Sequence, residues 1–526
     1  MKLNKLKYIS FLLVIAFSCD STDLDLQTNP DTLTLESADP DLVFNTVQGN
    51  LFFLDFGLSG FTTRLTRLAY LFGSYGDAVS QTAMNGAWNT LYTNNNNVEA
   101  LADFAETDEL YYHLGAAQII KAKNYLTVTD FIGQAVYTEA NNPTEFPNPN
   151  FDDGSVVYNA LFTEIDEGII NLEKGARAPT TDIWGEGIAQ NWINYGNSLK
   201  LMMYLQTRLV DENASRAGIN ALISEGELID ELEEDFEFQF GSTGGAVESR
   251  HPLFVANYIS GTPTTGYQPN GLMSYMKDSM AVQDPRMTYY FYRQTLQNPD
   301  DPDLDLLRCD GNPDYLFCYV GDGYWGRDHA DNDGVPGDTN LRTTYGIYPV
   351  GGQYDDGAGI PASSTPATGA GIYPLMLSAW VNFALAEAAL ELGTTGNAVA
   401  YLESGIRLHM EKVFSFAPGN HDATDIQAYV DEVVAEYNAA TDAGKLDIII
   451  REWYLTSFGS GVLAYNNYRR TGYPSFLQDP IIAAGNFPRS FFIPESELNS
   501  NANPDLEQKS LTDKVFWDTN PDGFIN

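Results

Sequence analysis

Apolar residues recur at helical spacing through both ends of the chain. In "LMLSAWVNFALAEAALELG", Val381, Leu385, Ala388 and Leu392 fall on one stripe, and Gly393 stands where a helix would stop. "NAVAYLESGIRLHMEKVF" has the pattern of its partner. Towards the N-terminus the same periodicity predicts three helix pairs. The first is "DPDLVFNTVQGNLFFLDFG" with "TTRLTRLAYLFG", and the second is "AWNTLYTNNNNVEALADFAE" with "YYHLGAAQIIKAKNYLTVTDFIG". The third is "GSVVYNALFTEIDEGIINLEKG" with "GIAQNWINYGNSLKLMMYLQTRLVDE". Gly115, Ala116, Ala117 and Ala122 are small enough to let a neighbouring helix come close. Further helices are expected through "DIQAYVDEVVAEYN" and "LDIIIREWYLTSFGSGVLAYNNYRRTG". Between about 235 and 370 the pattern changes to Gly, Pro, Asp, Asn and Tyr, the composition of loops and short β-hairpins. The expected fold is mainly α, with tetratricopeptide-like helix pairs and a loop-rich insertion, although no strict repeat period is present.

The first residues change the picture from a soluble helical protein to an exported one. Lys2, Lys5 and Lys7 precede the short apolar run "YISFLLVIAFS", and Cys19 follows Ser18. The run is too short to span a membrane and reads as a lipoprotein signal peptide over residues 1–18, with Cys19 as the lipidated residue. Phe17 departs from the usual small residue there. Residues 19–38 are acidic and poor in apolar side chains, which predicts a solvated tether. The remainder, 39–526, is expected to be one large domain.

The full chain has 28 basic and 71 acidic residues. A field of that sign repels nucleic acid and anionic headgroups, so no nucleic-acid partner is expected. The five histidines form no H-E-x-x-H pair, there is no G-x-S-x-G elbow and no phosphate loop, and no catalytic residue is assigned. His113 and His409 lie on predicted helices and are expected to be structural. The same expectation holds for Trp88, and for Arg469 and Arg470 as partners of carboxylates near a helix end.

Two further cysteines, Cys309 and Cys318, flank a stretch rich in turn formers, and in an oxidising compartment a disulfide between them is expected. Tyr315, Phe317, Tyr319, Tyr324 and Trp325 cluster around that loop. A sugar ring stacks its C–H face on an aromatic ring, so Trp325, Tyr324, Tyr319 and Tyr315 are the candidate ligand-binding residues. The alternative is that half of these rings pack the loop's own small core. "WGRDHADNDGVPGD" follows directly. His329 stands where an EF-hand would need its first aspartate, and no glutamate closes the loop, so an EF-hand is excluded. Two readings stay open: a looser calcium site built on Asp331, Asp333 and Asp338, or a turn network of Asp and Asn side chains on nearby backbone amides. No cofactor is otherwise required.

The order of "LGAAQIIKAKNYLTVTDFIGQAVYTEA", "NWINYGNSLKLMMYLQTRLVD", "DPRMTYYF", "LSAWVNFALAEAAL", "REWYLTSFGSGVLAYNNYRRTGYP" and "PRSFFIPESELNSN" resembles the SusD/RagB family of nutrient-binding outer-membrane lipoproteins of Bacteroidetes. Asp20, Asp23 and Asp25 after Cys19 look like the acidic export signal of their surface lipoproteins. The resemblance implies an outer-membrane, lipid-anchored, surface-exposed protein that is not an enzyme. It implies capture of oligosaccharides or oligopeptides and delivery to a SusC-type TonB-dependent transporter. A stand-alone glycan-binding protein is the alternative. Ligand-contacting residues differ among members and are not carried over.

Overall fold

The computed structural model describes residues 39–260, 266–299 and 309–526. The signal peptide, the acidic tether and Cys19 lie outside the described residues. Eleven long helices carry the architecture among those residues. They are α1 (Pro40–Leu65), α2 (Asn85–Asp108), α3 (Tyr111–Ile132), α4 (Gly154–Leu172), α5 (Ala189–Gln206), α6 (Glu212–Glu225), α7 (Ser378–Glu391), α8 (Ala398–Ser415), α9 (Ala423–Ala439), α10 (Asp442–Thr456) and α11 (Val462–Thr471). Successive helices pack on one another, α3 on α4, α5 on α6, α7 on α8 and α9 on α10, so the fold is mainly α, as its periodicity indicates. No helix among the described residues is long and apolar enough to cross a membrane.

Local chemistry explains the helix ends. The Asp39 carboxylate accepts the Asp41 N–H with Pro40 in the first turn, and Asn397 accepts the Val399 and Ala400 amides ahead of α8. The small residues of α3 do bring a neighbour close: a Cβ on Gly115 would lie 2.5 Å from the Gly168 carbonyl oxygen of α4, and one on Gly168 would lie 2.8 Å from that of Gly115. Any larger residue at either position would force the two backbones apart.

Two sequence expectations need correction. The first predicted pair is one continuous helix, because Gly57 and Gly60 lower helix propensity without breaking the hydrogen-bond ladder, and the chain turns only at Arg67 with φ +64°. The long helix expected from 446 to 472 is instead α10 and α11, separated where Gly459 adopts φ +98°.

The strands of the loop-rich region pair at long range rather than as hairpins. β3 (Phe236–Gln239) runs antiparallel to β6 (Ile372–Met376), and β4 (Phe291–Tyr292) to β5 (Thr344–Tyr345); β1 (Gln134–Ala135) and β2 (Asp152–Asp153) form a third short pair. Residues of this region such as Tyr289, Tyr290 and Phe291 are buried with the helices, so the region is anchored in the core rather than draped over it.

Charged networks are sealed between helices. Arg470 places Nε 3.0 Å and Nη2 2.6 Å from the two carboxylate oxygens of buried Glu387, and Arg208 adds a third bond at 2.9 Å. Arg469 donates to the carbonyls of Arg489 and Asp130. Arg470 thus holds a carboxylate, as expected, whereas Arg469 bonds backbone carbonyls and the Asn466 side chain instead. Trp88 is buried, stacks on Phe151 and donates its indole N–H to Glu497. His113 and His409 are also buried.

Candidate functional site

The acidic stretch proves to be a hub. The Asp328 carboxylate accepts the Leu316 and Phe317 amides at 3.1 Å and the Asn270 side-chain amide at 2.9 Å, fastening the loop closed by the Cys309–Cys318 disulfide. His329 sits 3.1 Å from the Tyr75 hydroxyl, and its backbone N–H donates to Gln478. Burial, helped by the charge of Arg67, drives its pKa far below the ordinary value, so the imidazole is neutral. Ala330 donates to the Leu71 carbonyl and Ile481 to that of His329. Four segments distant in sequence therefore meet on this stretch.

The aspartates form a turn network. Asp331 is fully buried, and its two oxygens accept the amides of Asp333, Gly334 and Val335 at 2.9, 3.2 and 3.0 Å. Asp338 is paired with Arg327 and accepts the Tyr267 hydroxyl, while Asp333 points to solvent. The three carboxylates do not converge, and the described residues contain no cluster of three acid, histidine or cysteine groups able to hold a metal. They do not fit a calcium cage.

The expected stacking residues are mostly internal. Trp325 is 2% exposed and Tyr324 3%. The Tyr324 hydroxyl donates to Asp355, and the Arg293 guanidinium lies 4.5 Å from its ring centre. Tyr315 is half-buried, with its hydroxyl on Asp331 at 3.3 Å. Tyr319 alone of the four is well exposed, at 41%. As a ligand face, Trp325 and Tyr324 are corrected to core residues: burying the two large rings removes more apolar surface from water than the neighbouring Val320 and Val335 can.

What the hub supports is a cleft of about 470 Å³ between α1 and the loop-rich region. Its wall on one side is the outer face of α1, with Phe56, Ser59, Gly60, Thr63 and Arg64. The other side holds Tyr70, Phe72, Asn257, Tyr267 and Tyr345. Tyr70 donates to the Asp331 carbonyl, and its ring meets that of Tyr267 edge-on at 6.0 Å. Burial pushes the Tyr70 hydroxyl up to about 12, so it stays a neutral donor. Tyr267 is gripped by two cations, with Arg327 4.1 Å and Arg342 5.0 Å from its ring centre. Asn257 is held by Arg342 at 3.2 Å. Phe72, by contrast, is 62% exposed at the mouth. Phe72, and Tyr70 where it is exposed, can stack a sugar ring, while Tyr267, 2% exposed, fills the wall behind them.

Of the expected residues, Tyr315 reaches the hub through Asp331, Trp325 and Tyr324 are buried in the loop-rich region, Tyr319 is exposed, and none of the four lines the cleft. Phe56, Arg64, Tyr70, Phe72 and Tyr267 were missed. A signal for them existed: Phe53, Gly57, Gly60 and Arg64 share one face of α1, where two glycines replace the apolar side chains that a packed face needs.

A family model described as starch-binding and associating with the outer membrane matches residues 39–303 and 342–493. The stretch between these two segments holds the disulfide loop and the acidic hub. Among solved structures, a SusD homolog from Bacteroides uniformis ATCC 8492 is 20% identical, with 91% of this chain and 99% of that chain covered and a TM-score of 0.65. A chitin-binding SusD homolog from Flavobacterium johnsoniae is 18% identical over 93% and 97% of the two chains, with a TM-score of 0.58. A SusD/RagB family protein from Bacteroides thetaiotaomicron is 16% identical over 88% and 95%, with a TM-score of 0.65. At these identities the likeness is one of fold. No curated protein matches the chain.

Proposed function

The chain belongs to the SusD-like family of starch-binding proteins that associate with the outer membrane, and from that premise we propose that it captures oligosaccharides in the cleft beside α1 and delivers them to a SusC-type TonB-dependent transporter. The observation that carries the reading is the cleft itself. It joins an open aromatic rim at Phe72 to a buried aromatic wall at Tyr267, which is braced by Arg327 and Arg342. Concave sites of several hundred Å³ with rigid apolar walls and a few placed polar groups are the usual form of a small-ligand site. The protein binds and releases; it performs no chemistry. Lipidation at Cys19 holds it on the outer face of the membrane, since several buried acyl methylenes at roughly 0.8 kcal/mol each suffice to hold a soluble domain there.

Gly60 offers a clean test, because a Cβ built there meets nothing within 4 Å. Gly60→Trp should therefore plug the cleft while leaving the fold intact. Isothermal titration with soluble oligosaccharides should show saturable binding to the native protein and at least a tenfold loss in the variant, about 1.4 kcal/mol or more. Equal binding by both would place the ligand elsewhere. Co-purification of a TonB-dependent barrel with the tagged chain tests delivery; ligand binding without any such barrel would leave a stand-alone glycan binder.

A further inference from the structure

We propose that the cleft selects oligosaccharides that carry an anionic group, a uronic carboxylate or a sulfate ester, and that Arg64 receives it; this rests on the cleft being the binding site.

The first observation is the charge of the lining. The chain has 71 acidic residues against 28 basic ones, yet among the described residues the lining of the cleft contains no Asp or Glu, and Arg64 is the one charged residue there. An anion approaching the protein meets repulsion over most of the surface and none from these walls. Behind Tyr70 and Tyr267, Asp338 is paired with Arg327 and Asp331 is held by backbone amides, so Arg64 is the charged group that faces the cleft.

The second is the state of that cation. Arg64 donates Nε–H to the Gly60 carbonyl at 2.8 Å, and its guanidinium lies 5.5 Å from the Phe61 ring centre. Among the described residues no carboxylate lies within ion-pair distance, and neither Nη group has a hydrogen-bond partner. Other buried or half-buried arginines are not left this way. Arg208 and Arg470 share Glu387, Arg286 holds Asp284, Arg293 holds Asp355, and Arg489 holds Asp518. Arg67 has no carboxylate but spends its nitrogens on three backbone carbonyls. Partial burial also costs Arg64 hydration, which lowers its pKa. The Nε bond to α1 fixes the fork and leaves its outer edge free. A guanidinium edge matches a carboxylate or sulfate in planar, two-point fashion.

The third is the position of the fork relative to the rings. Gly60, one turn before Arg64 on α1, leaves the floor open, and Tyr70 and Phe72 line the same cleft. A ring stacked on an aromatic face would thus have a substituent within reach of a cation.

The test is titration of the native protein, Arg64→Gln, Arg64→Lys and Gly60→Trp with four probes: a malto-oligosaccharide, an oligogalacturonate, a sulfated galactan oligosaccharide and an acidic peptide. The native protein should bind an anionic oligosaccharide best. Arg64→Gln should weaken that binding about tenfold or more, as expected for a lost charged hydrogen bond, and Arg64→Lys by less. Rising salt should weaken the native protein more than Arg64→Gln. Melting temperatures of the two Arg64 variants should match the native one. If the malto-oligosaccharide binds best and Arg64→Gln leaves it unchanged, the inference falls while the cleft stands. Binding that survives Gly60→Trp removes the cleft itself. Preference for the peptide, or no binding of either anionic sugar, overturns the proposal.

Discussion

The Tyr70 hydroxyl donates to the backbone carbonyl of Asp331, 261 residues away in sequence. A wall of the cleft and the acidic hub are thus one mechanical unit, and changes in the hub should be felt in the cleft. Asp331→Ala would leave the buried Val335 amide and its neighbours without an acceptor, costing about 1–3 kcal/mol. Urea unfolding should show that loss, and oligosaccharide affinity should fall with it. Because the aspartates do not converge, EDTA should leave the native melting temperature unchanged. A drop in EDTA that calcium restores would show that these side chains hold a metal.

Trp325 and Tyr319 lie close in sequence but should behave in opposite ways. Trp325→Ala empties a buried site and should cost about 3–5 kcal/mol. Tyr319→Ala changes an exposed ring and should stay within about 0.5 kcal/mol. Urea midpoints of the two variants decide the matter. A mild Trp325→Ala would mean that the loop has a second way to fill its interior.

Glu387 stands between two guanidinium groups with no exposure to solvent. Glu387→Gln should cost about 3–5 kcal/mol, because buried Arg470 loses its carboxylate partner and Arg208 keeps only Glu391, at 3.5 Å. Adding Arg470→Met should recover part of the loss. A single substitution without effect on the urea midpoint would show that water reaches the pair.

His409 lies buried between Tyr290 and Tyr348. Burial, aided by the charges of Arg286 and Lys412, holds its pKa well below the ordinary 6.5. The unfolded chain binds a proton there below pH 6.5 that the folded protein refuses. Its contribution is therefore complete above that pH and declines as the pH falls towards the folded value, at about 1.4 kcal/mol per pH unit. His409→Gln removes this dependence. The stability gap between native and variant should narrow from pH 7 to pH 5, and parallel curves over that range would sink the assignment.

The helical frame was legible because it obeys local rules. The stripe on α7, the small residues on α3 and the cap at Asn397 act within a few residues or on one neighbour. The break at Gly459 and the continuity through Gly60 were not legible, since a glycine's effect depends on what the rest of the fold demands of its backbone. In the loop-rich region the aromatic cluster was visible but its direction was not. Whether Trp325 faces out or in is decided by Thr343 and Asn270, which reach it or its neighbour Gly326 from elsewhere in the chain. The cleft joins α1 to residues 253–257 and 266–267, and no pattern within either segment announces the other.

β3 and β6 carry a consequence for how such a protein can diversify. Gln239 is paired with Ile372, so the whole excursion from 240 to 371 departs and returns at adjacent backbone positions. Within it, Arg286 and Tyr290 tie the middle of the excursion to α10, through Glu452 and the Leu455 carbonyl. Once the gap is closed by the strand pair, doubling the length of a flexible segment within the excursion raises the closure penalty by only about 0.6 kcal/mol. Surface turns of this excursion that lie away from the hub can therefore vary in length while the eleven helices, α1 among them, stay where they are.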